Sequence, residues 1–150
     1  KIIGYRQAMT LKKQPKKIYA KPSWGSASRV SVWAWPAKGR VVGKYSSAVG
    51  GNQGVDISGR YGENIVASAN GQVVYSGSGV RGYGNLIIIK HTSNFLSAYA
   101  FNRKNLVKDG MWVRSGQTIA TMGKNMAGRV MLHFEIRKNG RPVNPLNYLR

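Results

Sequence analysis

One hundred and fifty residues carry 24 Lys plus Arg against 4 Asp plus Glu, a formal charge of +20, with no cysteine. That length suits one domain built round a single core. The lack of cysteine excludes disulfides, zinc ribbons, iron–sulfur clusters and thiol nucleophiles, and so few carboxylates argue against a hard-cation site, which needs several clustered oxygens.

The chain opens at Lys1, not at Met, and reads as a processed or truncated piece whose targeting segment is missing. No apolar run approaches the roughly 20 residues of a membrane-spanning helix. Residues 1–34 are expected to form a basic linker or tail. Eleven of the basic residues fall in positions 1–44, where there is no acidic one, and Lys12-Lys13-Gln14-Pro15-Lys16-Lys17 has no sustained period. Such a tail is either a solvated spacer or an adhesive for a polyanion such as the cell wall. Nucleic acid is not expected as a partner, because no helix-turn-helix, RNP-type aromatic strand or zinc-finger spacing accompanies the charge.

The domain is expected over residues 35–150. No proline occurs between Pro36 and Pro142, so ladders can form uninterrupted. β-Branched or aromatic runs at 41–45, 54–58, 64–68, 72–75, 86–91, 96–101, 117–122 and 130–137 predict strands. Asn70-Gly71 and Asn139-Gly140 predict tight hairpins, and residues 144–149 a short turn. The fold class is all-β, an antiparallel sheet with little helix. Gly77-Ser78-Gly79-Val80-Arg81-Gly82 spells G-x-G-x-x-G, but it joins strand to strand, whereas dinucleotide binding needs a helix immediately after the glycines. His91, ending an apolar strand, is expected at the surface or as a strand cap.

Three segments carry a resemblance. Asn52-Gln53-Gly54-Val55-Asp56 resembles the His-x-x-x-Asp motif of the lysostaphin/LytM-type zinc endopeptidases, which cut peptidoglycan cross-links. Ala98-Tyr99-Ala100-Phe101-Asn102 resembles their Tyr-Ala-His segment, and Met131-Leu132-His133-Phe134-Glu135 their His-x-His-Phe segment. The order and spacing agree from about Trp35 to Leu149, which implies a LytM-type β-sheet domain. In that family a zinc keeps three protein ligands and an open position for a water whose pKa it lowers. Carried over, the ligand positions are Asn52, Asp56 and His133, and the two catalytic positions are Phe101 and Met131. Asn52 offers an amide, a poor zinc ligand, and neither Phe101 nor Met131 can move a proton. The expectation is therefore no metal, no cofactor and no catalysis. The alternatives are a zinc endopeptidase with an unorthodox site and a polyanion- or peptidoglycan-binding module.

Period-two geometry puts Met131, His133, Glu135 and Arg137 on one face of their strand, and Tyr99 and Phe101 on one face of theirs. The vacated cleft then becomes a groove floored by Phe101 and Met131, with Tyr83, Tyr99, His133 and Arg137 around it. Those side chains either fill the space as core or offer a partner-binding hot spot. Arg81-Gly82-Tyr83-Gly84-Asn85-Leu86, Leu132-His133-Phe134-Glu135-Ile136-Arg137 and Val143-Asn144-Pro145-Leu146 resemble the degenerate NlpD and EnvC type, above all the NlpD-like murein hydrolase activators. That resemblance implies activation of periplasmic N-acetylmuramoyl-L-alanine amidases in cell separation, through this groove, in a Gram-negative bacterium. It also implies an outer-membrane lipoprotein as the full-length form, with membrane attachment only through the missing N-terminal part. Peptidoglycan is the further partner expected for the basic tail.

Overall fold

Alternation of apolar residues along the longer strands sets up the architecture of the computed structural model, which describes residues 2–10, 17–25 and 29–150. Ten strands follow one another: β1 (Val41–Gly43), β2 (Val55–Ser58), β3 (Asn64–Val66), β4 (Gly71–Gly77), β5 (Asn85–Lys90), β6 (Phe95–Asn105), β7 (Trp112–Val113), β8 (Thr118–Lys124), β9 (Val130–Lys138) and β10 (Arg141–Val143). They form one antiparallel sheet in the order β1-β2-β9-β8-β6-β5-β4-β7, with β10 beside β9 and β3 beside β8. A short helix, α1 (Tyr5–Thr10), precedes them, and a 3-10 turn, Pro145–Asn147, follows. The antiparallel all-β expectation agrees with this. Among the described residues no helix is long and apolar enough to cross a membrane.

The sheet buries both faces. Val55, Ile57, Ile87, Ile89, Leu132, Phe134 and Ile136 point into the main core, while Leu86, Ile88, Ala98 and Ala100 point the other way into a second cluster with Tyr75 and Val80. Register places Ala98 opposite Glu135, Ala100 opposite His133, and Asp56 opposite His133 on the far side. The polar residues of β9 thus lie on the second face, where the two alanines leave room for them.

β6 changes partner at Phe101: residues 95–100 pair with β9, and residues 102–105 with β8. Phe101 has φ 64°, a left-handed conformation that costs a residue with a Cβ about 1–2 kcal/mol. Its N–H donates to the Tyr83 carbonyl at 3.0 Å. Gly123 lets the crossing close up, since a Cβ there would run into the Phe101 carbonyl oxygen. The left-handed residue breaks the alternation. Tyr99 therefore points into the main core while Phe101 packs on the second cluster, and the expectation that they share a face is corrected.

Asn139-Gly140 makes a two-residue hairpin between β9 and β10, with φ 52° and 79°, as a type I′ turn requires. Asn70-Gly71 does not form the expected hairpin. Its glycine is needed for close approach, because a Cβ would meet the Lys90 carbonyl, and Asn70 Oδ1 accepts from Ser115 N–H at 2.7 Å. His91 is not at the surface. Nδ1 lies 2.6 Å from the Asn70 carbonyl and Nε2 lies 2.6 Å from Ser97 Oγ, and burial pulls its pKa down to about 4. Its ring meets Trp33 edge-on at 5.0 Å.

Trp33 is itself core, bridged to Leu149, so the expected boundary between residues 34 and 35 falls inside the packed unit. Part of the expected tail packs on the domain. Ile3 bridges to Val80, and Ala8 is buried in the second cluster. Residues 11–16, which hold most of the lysine run, lie outside the described residues; Lys17 and Lys21 are exposed.

Candidate functional site

β2 and β9 bring Asp56, His133, Glu135 and Arg137 together on the second face. His133 Nδ1 donates to Asp56 Oδ1 at 2.8 Å, and Nε2 donates to Glu135 Oε2 at 2.7 Å. Two carboxylates can both be satisfied only by an imidazole that carries both protons. Arg137 Nε donates to Glu135 Oε1 at 2.8 Å, and its Nη2 to Gln53 Oε1 at 3.1 Å and to the Tyr83 hydroxyl at 3.2 Å. That hydroxyl donates onward to Glu135 Oε2 at 2.8 Å. Glu135 and Arg137 are buried, while Asp56 and His133 are partly exposed.

Burial works against charge on His133, but the bonds to Asp56 and Glu135 outweigh it and lift the pKa to about 9. Burial likewise pushes Glu135 up, yet His133 and Arg137 hold it below the usual glutamate value. For Tyr83, burial and the neighbouring Glu135 both raise the hydroxyl pKa.

These residues do not fit a catalytic zinc. Metal ligands must present a free lone pair in the deprotonated state. Asn52 Nδ2 donates to Asp56 Oδ2 at 3.1 Å while its Oδ1 accepts from Gly54 N–H at 3.1 Å, so both ends of the amide are engaged within the loop. Both nitrogens of His133 are engaged by carboxylates, Nδ1 by Asp56 and Nε2 by Glu135. Among the described residues no group of three or more His, Cys, Asp or Glu is arranged to hold a metal ion.

What remains is an open depression of about 320 Å³, lined chiefly by Asn52, Gln53, Tyr83, Phe101, His133 and Glu135. Tyr83 and Phe101 each hold their ring 6.0 Å from the His133 ring. The other expected groove residues are elsewhere. Met131 is 7% exposed, in contact through Sδ with Asn125 Nδ2 at 3.6 Å, and lies farther along β9, outside the lining. Tyr99 is fully buried in the main core; its hydroxyl accepts from Ser68 N–H at 2.9 Å and its ring packs on Phe134 at 5.3 Å. Arg137 is on the expected face, but it is spent on Glu135, Gln53 and Tyr83 beneath the groove and is not a free anchor.

Three contributors escaped the sequence reading. Glu135 lies on the expected face, but its bonds to Tyr83 and Arg137 join residues that no motif links. Gln53 occupies a variable position of the His-x-x-x-Asp motif. Tyr5 lies in the supposed tail, where no local signal could place it over the Arg137 guanidinium, 3.8 Å from carbon to ring centroid.

Residues 50–145 match the family described as peptidase family M23. Over 120 residues the chain is 52% identical to the "Lipoprotein NlpD/LppB homolog" of Pseudomonas aeruginosa, covering 80% of this chain and 40% of that protein. It is 50% identical over 124 residues to the "Murein hydrolase activator NlpD" of Escherichia coli, covering 83% and 33%. The chain thus spans well under half the length of these relatives. Among solved structures, a zinc-containing peptidase from Vibrio cholerae superposes with a TM-score of 0.66 at 27% identity, covering 77% of this chain and 39% of that one.

Proposed function

The chain belongs to peptidase family M23, and on that premise we propose that it acts without catalysis, as an activator of periplasmic N-acetylmuramoyl-L-alanine amidases during cell separation. One observation carries the reading. The imidazole at the family's ligand position is bonded at both nitrogens, to Asp56 and Glu135, with its pKa lifted to about 9, while the groove above it stays open and is walled by aromatic rings. A hydrogen-bonded floor with aromatic sides suits capture of an apolar side chain from a protein, because half-exposed aromatic groups supply most of the energy in such contacts. The similarity to a protein named murein hydrolase activator supports the same assignment, as the lipoprotein naming supports the envelope of a Gram-negative bacterium as its place.

Activation follows from differential affinity. An amidase held silent by one of its own segments turns on if the groove binds the released conformation better than the closed one. Peptidoglycan contact through the basic N-terminal part is a separate and weaker contribution, screened within about 8 Å at physiological salt.

The test is release of dye from labelled peptidoglycan by the chain alone, by an amidase alone, and by both. Release only from the mixture, above the amidase's own level, supports the reading. Chelator-sensitive release by the chain alone overturns it in favour of a zinc endopeptidase.

A further inference from the structure

We propose that Tyr5 is a positioning residue of the groove, and that residues 3–9 form a strap holding Arg137 and Tyr83 in the geometry a docking partner meets. The functional half of this inference rests on the amidase reading above.

The strap is fastened on either side of Tyr5. Ile3 N–H donates to the Gly79 carbonyl at 2.6 Å and the Ile3 carbonyl accepts from Arg81 N–H at 2.6 Å, a parallel bridge across Val80. One helical turn later Ala8 is buried against the second cluster. Between these points Tyr5 is laid over the Arg137 guanidinium, 3.8 Å from its central carbon, with the Tyr83 ring 5.7 Å away. Arg137 is left 6% exposed. A desolvated cation over an aromatic face is held more strongly than one in water, so the guanidinium is held on its face by Tyr5 and in its plane by Glu135. That fixes the Tyr83 hydroxyl, which accepts from Arg137 and donates to Glu135.

The strap braces the groove from behind and is not a plug. No residue of 3–9 lines the depression, which stays open with the strap docked. Nor does the strap use the Tyr5 hydroxyl, which is buried with no hydrogen-bond partner among the described residues. The ring alone does the positioning, so Tyr5→Phe keeps the device and Tyr5→Ala removes it.

The experiment compares the parent, Tyr5→Phe and Tyr5→Ala in two assays. Solvent exchange of the Arg137 Nε–H proton, followed by NMR, is slow in the parent and in Tyr5→Phe, and faster by roughly tenfold or more in Tyr5→Ala, because opening of the guanidinium cage is then easier. Amidase stimulation falls by a similar factor in Tyr5→Ala and is kept in Tyr5→Phe. Unchanged Arg137 exchange in a folded Tyr5→Ala protein overturns the inference whatever the amidase does. Stimulation equal to or above the parent's in Tyr5→Ala also overturns it, making the strap a spacer or an inhibitor. If the parent stimulates no amidase the functional reading falls, and the exchange assay still decides whether Tyr5 holds the groove wall.

Discussion

His133 faces Glu135 two positions along the same strand, with Nε2 and Oε2 2.7 Å apart. With Asp56 on its other nitrogen, the imidazolium supplies positive charge where the family's enzymes use a metal ion, and Arg137 supplies the rest. Buried carboxylates without a counter-charge are expensive. His133 and Arg137 hold Glu135 below the usual glutamate value despite its burial.

The pH dependence of stability follows from this pair. The folded pKa of His133, about 9, lies above its ordinary 6.5. Its contribution is therefore complete below pH 6.5 and is lost as pH rises through 9; its upper bound is about 3 kcal/mol. Urea unfolding at pH 6.5 and pH 9.5 should show the parent losing stability and His133→Gln losing much less. Parallel losses in the two proteins would remove the imidazolium from the account.

At the acid side His91 acts in the opposite sense. Its folded pKa of about 4 lies below the ordinary 6.5, so its contribution is present above pH 6.5 and is lost as pH falls towards 4. His91→Phe should unfold with a flatter profile between pH 6.5 and 4 than the parent, measured by circular dichroism. A variant as acid-sensitive as the parent excludes His91 as the cause.

Phe101 separates backbone strain from ring chemistry. Because its φ is 64°, Phe101→Gly should be more stable than Phe101→Ala by about 1 kcal/mol. Both variants lose the ring, so both should stimulate an amidase poorly. If Phe101→Ala melts at or above Phe101→Gly, the left-handed backbone carries no cost here.

Tyr99 tests the line between core and groove. Removing its hydroxyl strands the buried Ser68 N–H and loosens Ser97, at a cost of about 1–3 kcal/mol. Tyr99→Phe should melt lower while stimulating as well as the parent below its melting range. Lost stimulation in the fully folded variant would return Tyr99 to the docking surface.

The strands were readable because alternation and β-branched runs are local signals, and the hairpin at Asn139-Gly140 because its turn demands those residues. Asn52, Asp56, Phe101 and His133 could be placed from motif spacing. Tyr99 was misplaced because strict alternation was carried across Phe101, and nothing in the local sequence announces a left-handed phenylalanine where a strand changes partners. His91 was misplaced because burial of a polar ring depends on partners 6 and 21 residues away. Tyr5 needed a contact spanning nearly the whole chain.

Zinc retention, and histidine restored at one ligand position and two catalytic positions, test the misfit to metal. The parent, dialysed against zinc and then desalted, should keep no stoichiometric metal by elemental analysis, since Asn52 and His133 are already committed to hydrogen bonds. Asn52→His combined with Phe101→His and Met131→His should not improve amidase stimulation, because it converts an aromatic wall back to a polar cleft. One tightly held zinc per parent chain would contradict the site described.

Tyr83 lines the groove, half-buried, bonded to Glu135 and flanked by His133, so it bears most directly on the claim that this groove is the activating surface. The decisive measurement is amidase-dependent dye release from labelled peptidoglycan with Tyr83→Ala in place of the parent, at equal fold content by circular dichroism. Stimulation should fall roughly tenfold or more, as for a central hot-spot residue. Stimulation equal to the parent's contradicts the account and moves the activating surface elsewhere on the molecule.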